Sequence, residues 1–335
     1  MITEFCKINN LPSYRQSQFN KQYYQNVIGD FNELSDWPIV LREKLKEEIE
    51  FTSILPKKIF GGVDKTAMKI IFSRTRDKKI FETILLKHKD KRNTVCVSCM
   101  IGCPVGCIFC ATGKMGFVAN LSASEIIDQV LYFQRILKKI KQKISNVVFM
   151  GMGEPLLNWK EVQEAIKVIT DPVKIAMSDR RLTISTCGVI SGIKELMSSD
   201  FKGRLAISLH SANQKEREQL IPFAKSNTLD DLMNVLDEYV ALTNKRVTYE
   251  YILLDGVNDS PSQAKKLVDL LMGRLAHINL IRYNEIKNSE FHKSTQQNVN
   301  RFCAILDRAK INYTVRVSLG SDIEGACGQL TTNNS

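Results

Sequence analysis

Short apolar segments alternate with longer amphipathic segments along most of this chain. Runs of apolar residues typical of β-strands lie at 94–99, 146–150, 181–186, 204–210, 247–254 and 277–284. Segments with apolar residues at helical spacing lie near 122–143, 159–170, 190–199, 228–243, 260–275 and 294–309. Six strand–helix alternations predict an α/β fold with a parallel sheet, either open or rolled into a barrel. The segment 313–317 is a candidate for one further strand.

The first ninety residues follow a different pattern. Apolar residues recur at helical spacing after Pro38, which predicts a small, mostly helical unit over residues 1–60. Residues 67–88 are predicted to form two strands around a polar turn. The chain is therefore divided into a helical N-terminal domain (1–60), a β-hairpin extension (61–93), an α/β domain (94–320) and a C-terminal tail (321–335).

Charge and composition narrow the class of protein. The 335 residues include 47 Lys or Arg and 36 Asp or Glu, a net charge of +11. A basic chain favours a polyanionic partner, with nucleic acid before a membrane surface. The sequence contains no apolar run near the ~20 residues of a membrane helix, and its polar N-terminus lacks the apolar core of a signal peptide. We expect a cytoplasmic protein that does not associate with membranes.

Four of the nine cysteines lie in one short segment, CMIGCPVGCIFCATG. Because cytosolic thiols are kept reduced, metal, cluster or redox chemistry explains them better than a disulfide framework. Cys103, Cys107 and Cys110 follow a predicted strand with the spacing C-x3-C-x2-C, which lets three thiolates converge on one centre. Zinc would need a fourth protein ligand, such as Cys96. A [4Fe–4S] cluster can be bound by three cysteines, which leaves one iron open to a small ligand.

Polar residues also follow four of the other predicted strands. The segments are MGMGEP (150–155), STCG (185–188), SLH (208–210) and RYN (282–284). The C-terminal ends of parallel strands meet at one edge of a sheet, where α/β enzymes place their chemistry. The pattern therefore predicts one shared pocket beside the cysteine loop.

These motifs resemble those of one enzyme family over roughly residues 65–330. The segments CVSCMIGCPVGCIFCATG, MGMGEPLLN, LTISTCG, AISLHS, GVNDS, NLIRYN and DIEGACGQL occur in the order and spacing of the RlmN/Cfr family of radical S-adenosylmethionine (SAM) enzymes. The resemblance implies a partial (βα)6 radical-SAM barrel, with a [4Fe–4S] cluster bound by Cys103, Cys107 and Cys110 and two SAM molecules per turnover. It further implies SAM contacts from Glu154, Pro155, Ser185, Ser208, Leu209, His210 and Asn284.

The resemblance also implies an activity, methylation of an adenine ring carbon of 23S ribosomal RNA, with carbon 2 favoured. Cys327 would accept a methyl group from a first SAM by nucleophilic displacement. A second SAM would give a deoxyadenosyl radical that removes hydrogen from this methyl group, and the carbon radical would add to adenine. Glu82 would accept the ring proton. Cys96 would then attack the Cys327 sulfur and release the product.

Several alternatives stay open on the sequence alone. They are methylation of carbon 8, which gives antibiotic resistance, a different radical-SAM substrate as in glycyl-radical activases, and a zinc-dependent RNA-binding protein without catalysis. Transfer RNA is a second candidate substrate, and an electron donor such as flavodoxin is implied. We expect a monomer that contacts RNA through its N-terminal domain and through basic segments at 57–58, 87–92 and 134–143.

The chain also departs from the family pattern at a few positions. Met100 stands where the family usually has Gln, and Glu285 stands where it has Pro. Glu324 and Gly325 replace the usual Asp-Ala before Ala326 and Cys327. None of these changes removes a predicted catalytic group, so we expect them to affect the choice of RNA target more than the chemistry.

Overall fold

The computed structural model describes residues 2–332, and its N-terminal part is a small helical unit. Phe19 and Phe31 pack with Trp37 in an aromatic core, and Phe31 also meets Phe51 edge-on with ring centroids 4.9 Å apart. The helical prediction for this region is confirmed as far as residue 48. The helices are α1 (Ile2–Ile8), α2 (Ser13–Asn20), a π-helical continuation (Lys21–Gln25) and α3 (Ile39–Glu48).

Three antiparallel strands follow, where the sequence predicted two. Strands β2 (Ala67–Arg74) and β3 (Ile80–Lys87) confirm the hairpin, but β1 (Ile54–Gly61) occupies residues assigned to the helical unit. Most side chains of β1 are exposed on both faces, so it lacks the apolar alternation by which a half-buried strand is recognised. Its pairing with β2 stabilises it instead.

Strands and helices then alternate as predicted. The strand β4 (Asn93–Cys96) leads into a hairpin of β5 (Met100–Gly102) and β6 (Phe117–Asn120), which encloses the cysteine loop and the one-turn helix α4 (Ala111–Lys114). The remaining elements are, in chain order, α5 (Ala123–Lys139), β7 (Asn146–Phe149), α6 (Trp159–Thr170), β8 (Leu182–Thr186), α7 (Ile190–Met197), β9 (Arg204–Ser208), α8 (Gln214–Leu220), α9 (Leu229–Thr243), β10 (Val247–Leu253), α10 (Pro261–Leu271), β11 (Ala276–Arg282), α11 (Gln296–Arg308) and β12 (Tyr313–Arg316).

Helix starts agree with prediction better than helix ends. Ser122, Thr228, Ser260 and Thr295 each accept a hydrogen bond from a backbone N–H of the first helical turn, which fixes the starts of α5, α9, α10 and α11. The ends of α5 and α10 fall earlier than predicted, at residues 139 and 271. Helix α8 was not predicted, and β12 confirms the additional strand.

The ten-stranded sheet has the order β1-β2-β3-β4-β7-β8-β9-β10-β11-β12. Strands β1 to β4 pair antiparallel, and β4 and β7 to β12 pair parallel. Ile84 of β3 and Arg316 of β12 lie far apart in this order but line one cavity. The sheet therefore curves around that cavity, and the predicted α/β fold with a parallel sheet is confirmed. Within residues 2–332, no helix is both long and apolar enough to cross a bilayer.

Candidate active site

Two adjoining cavities lie at the C-terminal ends of the parallel strands. The cluster cavity is lined by Cys103, Cys107, Cys110, Glu154, Ser185, Ser208, His210 and Cys327. The thiol cavity is lined by Cys96, Asn284 and Cys327, among others. Cys110, Met150, Arg316 and Cys327 line both, so the cavities form one continuous site. Ten of the thirteen predicted site residues are thus brought together.

The other three predicted residues, Glu82, Pro155 and Leu209, line neither cavity. Leu209 is fully buried, and its backbone N–H donates to the Glu250 carbonyl at 3.0 Å. Pro155 is buried at the start of a 3-10 turn directly after Glu154. These two residues shape the backbone beside the site. Glu82 belongs to the antiparallel strand β3 and is described below.

Hydrogen bonds to two other segments fix the backbone of the cysteine loop (103–110). The Cys103 N–H donates to the Gly116 carbonyl at 2.9 Å, which ties the loop to the end of its own hairpin. The Ile108 N–H donates to the Leu220 carbonyl at 3.1 Å, which ties it to helix α8. The loop is therefore positioned by the barrel before any ligand binds.

Close packing leaves no spare room around this loop. The ring of Phe109, the aromatic residue before Cys110, meets the His210 ring edge-on with centroids 4.9 Å apart. A Cβ at Gly113 would lie 2.5 Å from the Cys107 carbonyl oxygen, so a side chain there would push the loop away. Glycine at 113 thus allows the short helix α4 to approach the cysteines.

The three loop cysteines fit a cluster better than a single metal ion. All three are free thiols, and burial raises the pKa of each, for Cys103 to about 12. Bound iron would supply the positive charge that deprotonates such thiols. Among the described residues, no group of three or more His, Cys, Asp or Glu side chains is arranged to bind one ion. Tetrahedral zinc requires four ligands around a point, whereas three cysteines suffice for a [4Fe–4S] cluster.

Glu154 is a buried carboxylate at the end of β7. Its Oε2 accepts a hydrogen bond from the Cys187 N–H at 2.8 Å, and its Oε1 accepts one from the Leu156 N–H at 3.1 Å. Burial raises the pKa of Glu154, and these two N–H groups lower it in part. Gly153 has φ +105°, and a Cβ there would lie 2.5 Å from Met100. The turn MGMGEP therefore needs glycine to bring Glu154 against the cysteine loop.

His210 is a neutral hydrogen-bond donor toward the cluster cavity. Its Nδ1 lies 3.0 Å from the Ile252 N–H, which can only donate, so Nδ1 carries no proton. Burial, with the nearby Arg217 guanidinium, lowers the pKa of His210 to about 3. The neutral ring consequently carries its proton on Nε2.

The tail that carries Cys327 lies across the mouth of the site. The Ala111 N–H donates to the Gly328 carbonyl at 2.8 Å, and the Thr112 hydroxyl donates to the Leu330 carbonyl at 2.6 Å. Asn284 Nδ2 donates to the Cys327 carbonyl at 3.2 Å. The first two bonds attach the tail to the helix that follows the cluster cysteines, and the third attaches it to the segment after β11.

Arg316 shares one cavity with the two cysteines predicted to react. It lines the thiol cavity with Cys96 and Cys327, and its Nη1 is 3.5 Å from Glu250 Oε2. Burial lowers the pKa of Arg316, but Cys327, Glu250 and Cys96 raise it more, to above its usual value. Burial also raises the pKa of Cys96. The fixed guanidinium is thus the cation available to stabilise anionic sulfur in this cavity.

Glu250 orients Arg316 from the neighbouring strand. Its Oε1 accepts a hydrogen bond from Asn279 Nδ2 at 2.9 Å, while its Oε2 makes the ion pair with Arg316 and no hydrogen bond. Glu250 also lines the cluster cavity. Glu250 pairs with Ser208 across β9 and β10. The carboxylate is therefore placed next to a predicted SAM contact.

Glu82 has a different environment from the other predicted site residues. Its side chain is fully buried and its Oε1 lies 3.0 Å from Lys69 Nζ. Its Oε2 accepts a hydrogen bond from the Thr331 N–H of the tail at 3.0 Å. Burial raises the pKa of Glu82, opposed by Lys69 and Thr331. In this arrangement the carboxylate is directed at the tail, and the structure does not bring it to the cavity.

Three residues of the site were missed by the sequence reasoning. They are Lys69, Glu250 and Arg316, each a charged residue of a strand, in AMKIIF, TYEYIL and YTVRV. A charge at the centre of a buried strand is rare unless it is paired. That signal could have identified Lys69 and Glu250, although not their partners, whereas Arg316 ends the partly exposed strand β12 and carries no such signal.

Comparison with known proteins agrees with this geometry. A sequence profile of the Radical SAM superfamily matches residues 97–268. A probable dual-specificity RNA methyltransferase RlmN from Syntrophomonas wolfei is 42% identical and aligns with 96% of this chain and 92% of its own. One of the same name from Dictyoglomus turgidum is 40% identical, over 95% and 90%. The crystal structure of a radical SAM methyltransferase from Sphaerobacter thermophilus has a TM-score of 0.95 at 36% identity, covering 98% of this chain and 96% of that one.

Proposed function

The chain belongs to the RlmN family of radical SAM RNA methyltransferases, and on that premise we propose that it methylates a ring carbon of adenine in 23S ribosomal RNA. Carbon 2 is the favoured position, and transfer RNA is a second substrate. Membership means that the enzyme uses a [4Fe–4S] cluster and SAM. The finer proposal, a methyl-cysteine intermediate, is supported by one observation: Cys327 lines both cavities, beside the three cluster cysteines and beside Cys96.

Five residues of the cluster cavity have a proposed task in binding the cluster or SAM. Cys103, Cys107 and Cys110 would ligate the cluster, which when bound supplies the electron that cleaves SAM. The buried Glu154 carboxylate offers an acceptor to the amino group of SAM. Nε2 of His210 offers a donor. Apolar side chains such as Val105, Phe109, Phe149 and Ile252 also line this cavity, which helps to exclude water from a reactive intermediate.

The thiol cavity provides the nucleophile and its resolving partner. The Cys327 sulfur would lose its proton, bond to the methyl carbon of a first SAM and displace the thioether product. After transfer of carbon to adenine, the Cys96 sulfur would attack the Cys327 sulfur, so that a disulfide forms as the product leaves. Arg316 lines the same cavity and would stabilise each sulfur as a thiolate.

Glu82 is retained as the proposed acceptor of the adenine ring proton, with one condition. Because its carboxylate bonds to Lys69 and to the Thr331 N–H, the tail would have to move before Glu82 could reach a substrate. Such a movement is compatible with reaction at Cys327, which lies on the same tail.

The basic segments support RNA binding to different degrees. His88, within the segment 87–92, lines the thiol cavity, so this segment lies next to the proposed site of the adenine. In the segment 134–143, Arg135 donates to the Ile28 carbonyl at 2.8 Å and Lys138 donates to the Asn26 carbonyl. Part of that segment therefore binds the N-terminal helical unit. A cytoplasmic monomer reduced by a flavodoxin-like donor stays our prediction.

Nucleoside mass spectrometry tests this function. Ribosomal and transfer RNA would be isolated from a host that lacks its own enzyme and expresses this chain. We expect new 2-methyladenosine, which is absent with Cys327→Ala and present with Cys303→Ala, a matched thiol on the outer helix α11. New 8-methyladenosine would overturn the carbon assignment. No new methyladenosine, from a chain shown to contain its cluster, would overturn the substrate.

A further inference from the structure

One buried ion pair contacts the Cys327 segment on both sides of the cysteine. Lys69 Nζ donates to the carbonyl of Glu324, three residues before Cys327, at 3.3 Å. Glu82 Oε2 accepts from the N–H of Thr331, four residues after Cys327, at 3.0 Å. Lys69 and Glu82 lie 3.0 Å apart with side chains 3% and 0% exposed. The two ends of the segment are thus bonded to the two members of a single pair.

We propose that Lys69 and Glu82 are positioning residues, a clamp that sets the Cys327 sulfur at the junction of the two cavities for methyl transfer. This inference rests on the proposed function of Cys327. It gives Glu82 a task in the closed enzyme, before any step in which a ring proton is removed. The clamp consists of the Lys69–Glu82 pair and its bonds to Glu324 and Thr331.

The polarity of the pair matches the two backbone groups it contacts. A carbonyl oxygen needs a donor, which the ammonium of Lys69 supplies, and an N–H needs an acceptor, which the Glu82 carboxylate supplies. A buried ion pair recovers little net stability from its own attraction, because desolvation offsets it. Charge-assisted bonds to the tail are the additional contacts that make such a pair favourable.

The rest of the antiparallel sheet also forms a docking surface for the tail. The Val63 N–H donates to Asp322 Oδ2 at 2.7 Å. A Cβ at Gly325 would lie 2.7 Å from Ile84 Cδ1, and one at Gly320 would lie 2.8 Å from Ala67 Cβ. The tail therefore approaches β2 and β3 closely on both sides of its Glu324 contact with Lys69.

The clamp predicts that the order of the tail depends on two charges more than 200 residues away in sequence. Without the Lys69 ammonium, the Glu324 carbonyl loses the hydrogen bond from Lys69, and the buried Glu82 carboxylate loses its cationic partner. The segment 320–332 should then open more often. Cys327 would spend less time near a bound SAM, and methyl transfer to it would slow.

Hydrogen exchange in the full-length, cluster-loaded enzyme measures the order of the tail directly. We expect exchange in 320–332 to be at least tenfold faster in Lys69→Met and Glu82→Gln, and close to wild type in Lys69→Arg, which keeps a cation. Arg74→Met is the matched control, because Arg74 is a buried cation of the same strand β2 that pairs with Asp77 and Glu125 instead of the tail. Unchanged exchange in the first two variants would overturn the clamp.

A third variant removes one clamp bond without altering the buried pair. Thr331→Pro deletes the N–H that donates to Glu82 and lies at the end of the described chain, so loss of folding is not expected. We expect faster exchange over the residues around Cys327. Wild-type exchange there would count against the clamp even if the charged variants failed to fold.

Mass spectrometry of Cys327 after incubation with SAM separates the clamp from the proton-acceptor role. With the clamp, Lys69→Met and Glu82→Gln both slow methylation of Cys327 by tenfold or more. If Glu82 served as proton acceptor alone, Glu82→Gln would methylate Cys327 at the wild-type rate, and that result would overturn the proposal. No methylation of Cys327 in the wild type would instead refute the proposed function, and hydrogen exchange would still decide the clamp.

Discussion

The parallel and antiparallel halves of the sheet position functional groups by different physical means. In the parallel half, predicted ligands such as Glu154 and His210 follow strand ends, where loops bring backbone N–H groups to them. In the antiparallel half, Lys69 and Glu82 lie inside strands and reach the site only through the tail. The parallel half therefore provides a fixed pocket, and the antiparallel half binds the tail that carries Cys327.

The two buried carboxylates Glu154 and Glu82 show the difference most clearly. Burial raises the pKa of both. Glu154 is stabilised by the N–H groups of Cys187 and Leu156, which belong to the barrel and do not leave. Glu82 is stabilised by Lys69 and by a tail N–H, which is lost when the tail moves. The comparison yields four predictions, from the largest effect to the smallest.

Loss of one cluster cysteine should abolish cluster binding in the pocket of the parallel half. Cys107→Ala is expected to lower bound iron from about four per chain to almost none, because three thiolates are the minimum for the cluster. Cys99→Ala is the matched control, since Cys99 is buried beside the loop but lines neither cavity. Iron and sulfide analysis after anaerobic reconstitution measures this. Equal iron in both variants would remove Cys107 from the ligand set.

The two carboxylates should differ in their effect on SAM affinity. Glu154→Gln removes the charged acceptor proposed for the amino group of SAM, and a hydrogen bond to a charged group is worth about 1.5–3 kcal/mol, which corresponds to roughly 10- to 100-fold weaker SAM binding. Glu82→Gln should change this affinity less than about twofold. Equilibrium binding of SAM to the cluster-loaded proteins gives both numbers. Similar losses of SAM affinity in the two variants would contradict the assignment of Glu154 to the SAM pocket and of Glu82 to the clamp.

The pH dependence of the free energy of unfolding should show that His210 stays buried and neutral in the folded barrel. The folded pKa of His210 is about 3, below the unfolded value of about 6.5. The neutral His210 ring therefore makes its full contribution to the free energy of unfolding above pH 6.5. This contribution decreases as the pH falls, by about 1.4 kcal/mol per pH unit.

Urea unfolding of His210→Asn between pH 5 and 7 tests the sign of this effect. Buried carboxyls such as Glu154 and Glu250 have the opposite sign, because burial raises their pKa. The quantity to compare is thus the slope of the unfolding free energy against pH, in the wild type and in the variant. Asn can still accept from the Ile252 N–H, and His292→Asn, on the surface, is the control. Equal slopes for the wild type and His210→Asn would contradict a neutral, buried imidazole at position 210.

Asn284 should have the smallest effect, because it contributes one bond between the barrel and the tail. Asn284→Ala removes the 3.2 Å hydrogen bond to the Cys327 carbonyl, which is worth about 0.5–1.5 kcal/mol. We expect exchange of the tail to rise by roughly two- to tenfold, less than in Lys69→Met. A larger effect than that of Lys69→Met would place control of the tail in the parallel half.

Most of the fold could be predicted because its signals are local. Apolar periodicity identified the six strands and six helices, and capping residues such as Ser122 fixed helix starts. Strand β1 was missed, and its residues were assigned to the helical unit, because an edge strand exposed on both faces carries no alternation. Helix α8 was missed because its seven residues, QKEREQL, contain one apolar residue.

The sequence by itself determined most residues of the fixed pocket, with Glu250 and Arg316 as the exceptions. Parallel strands have to end at one edge, so residues after those ends converge there whatever the details, as Cys103, Ser208 and His210 do. Tertiary structure alone decided the environment of the remaining groups. Lys69, Glu82 and Arg316 acquired their partners from segments up to 255 residues away, and the energy of a buried charge depends on those partners rather than on sequence neighbours.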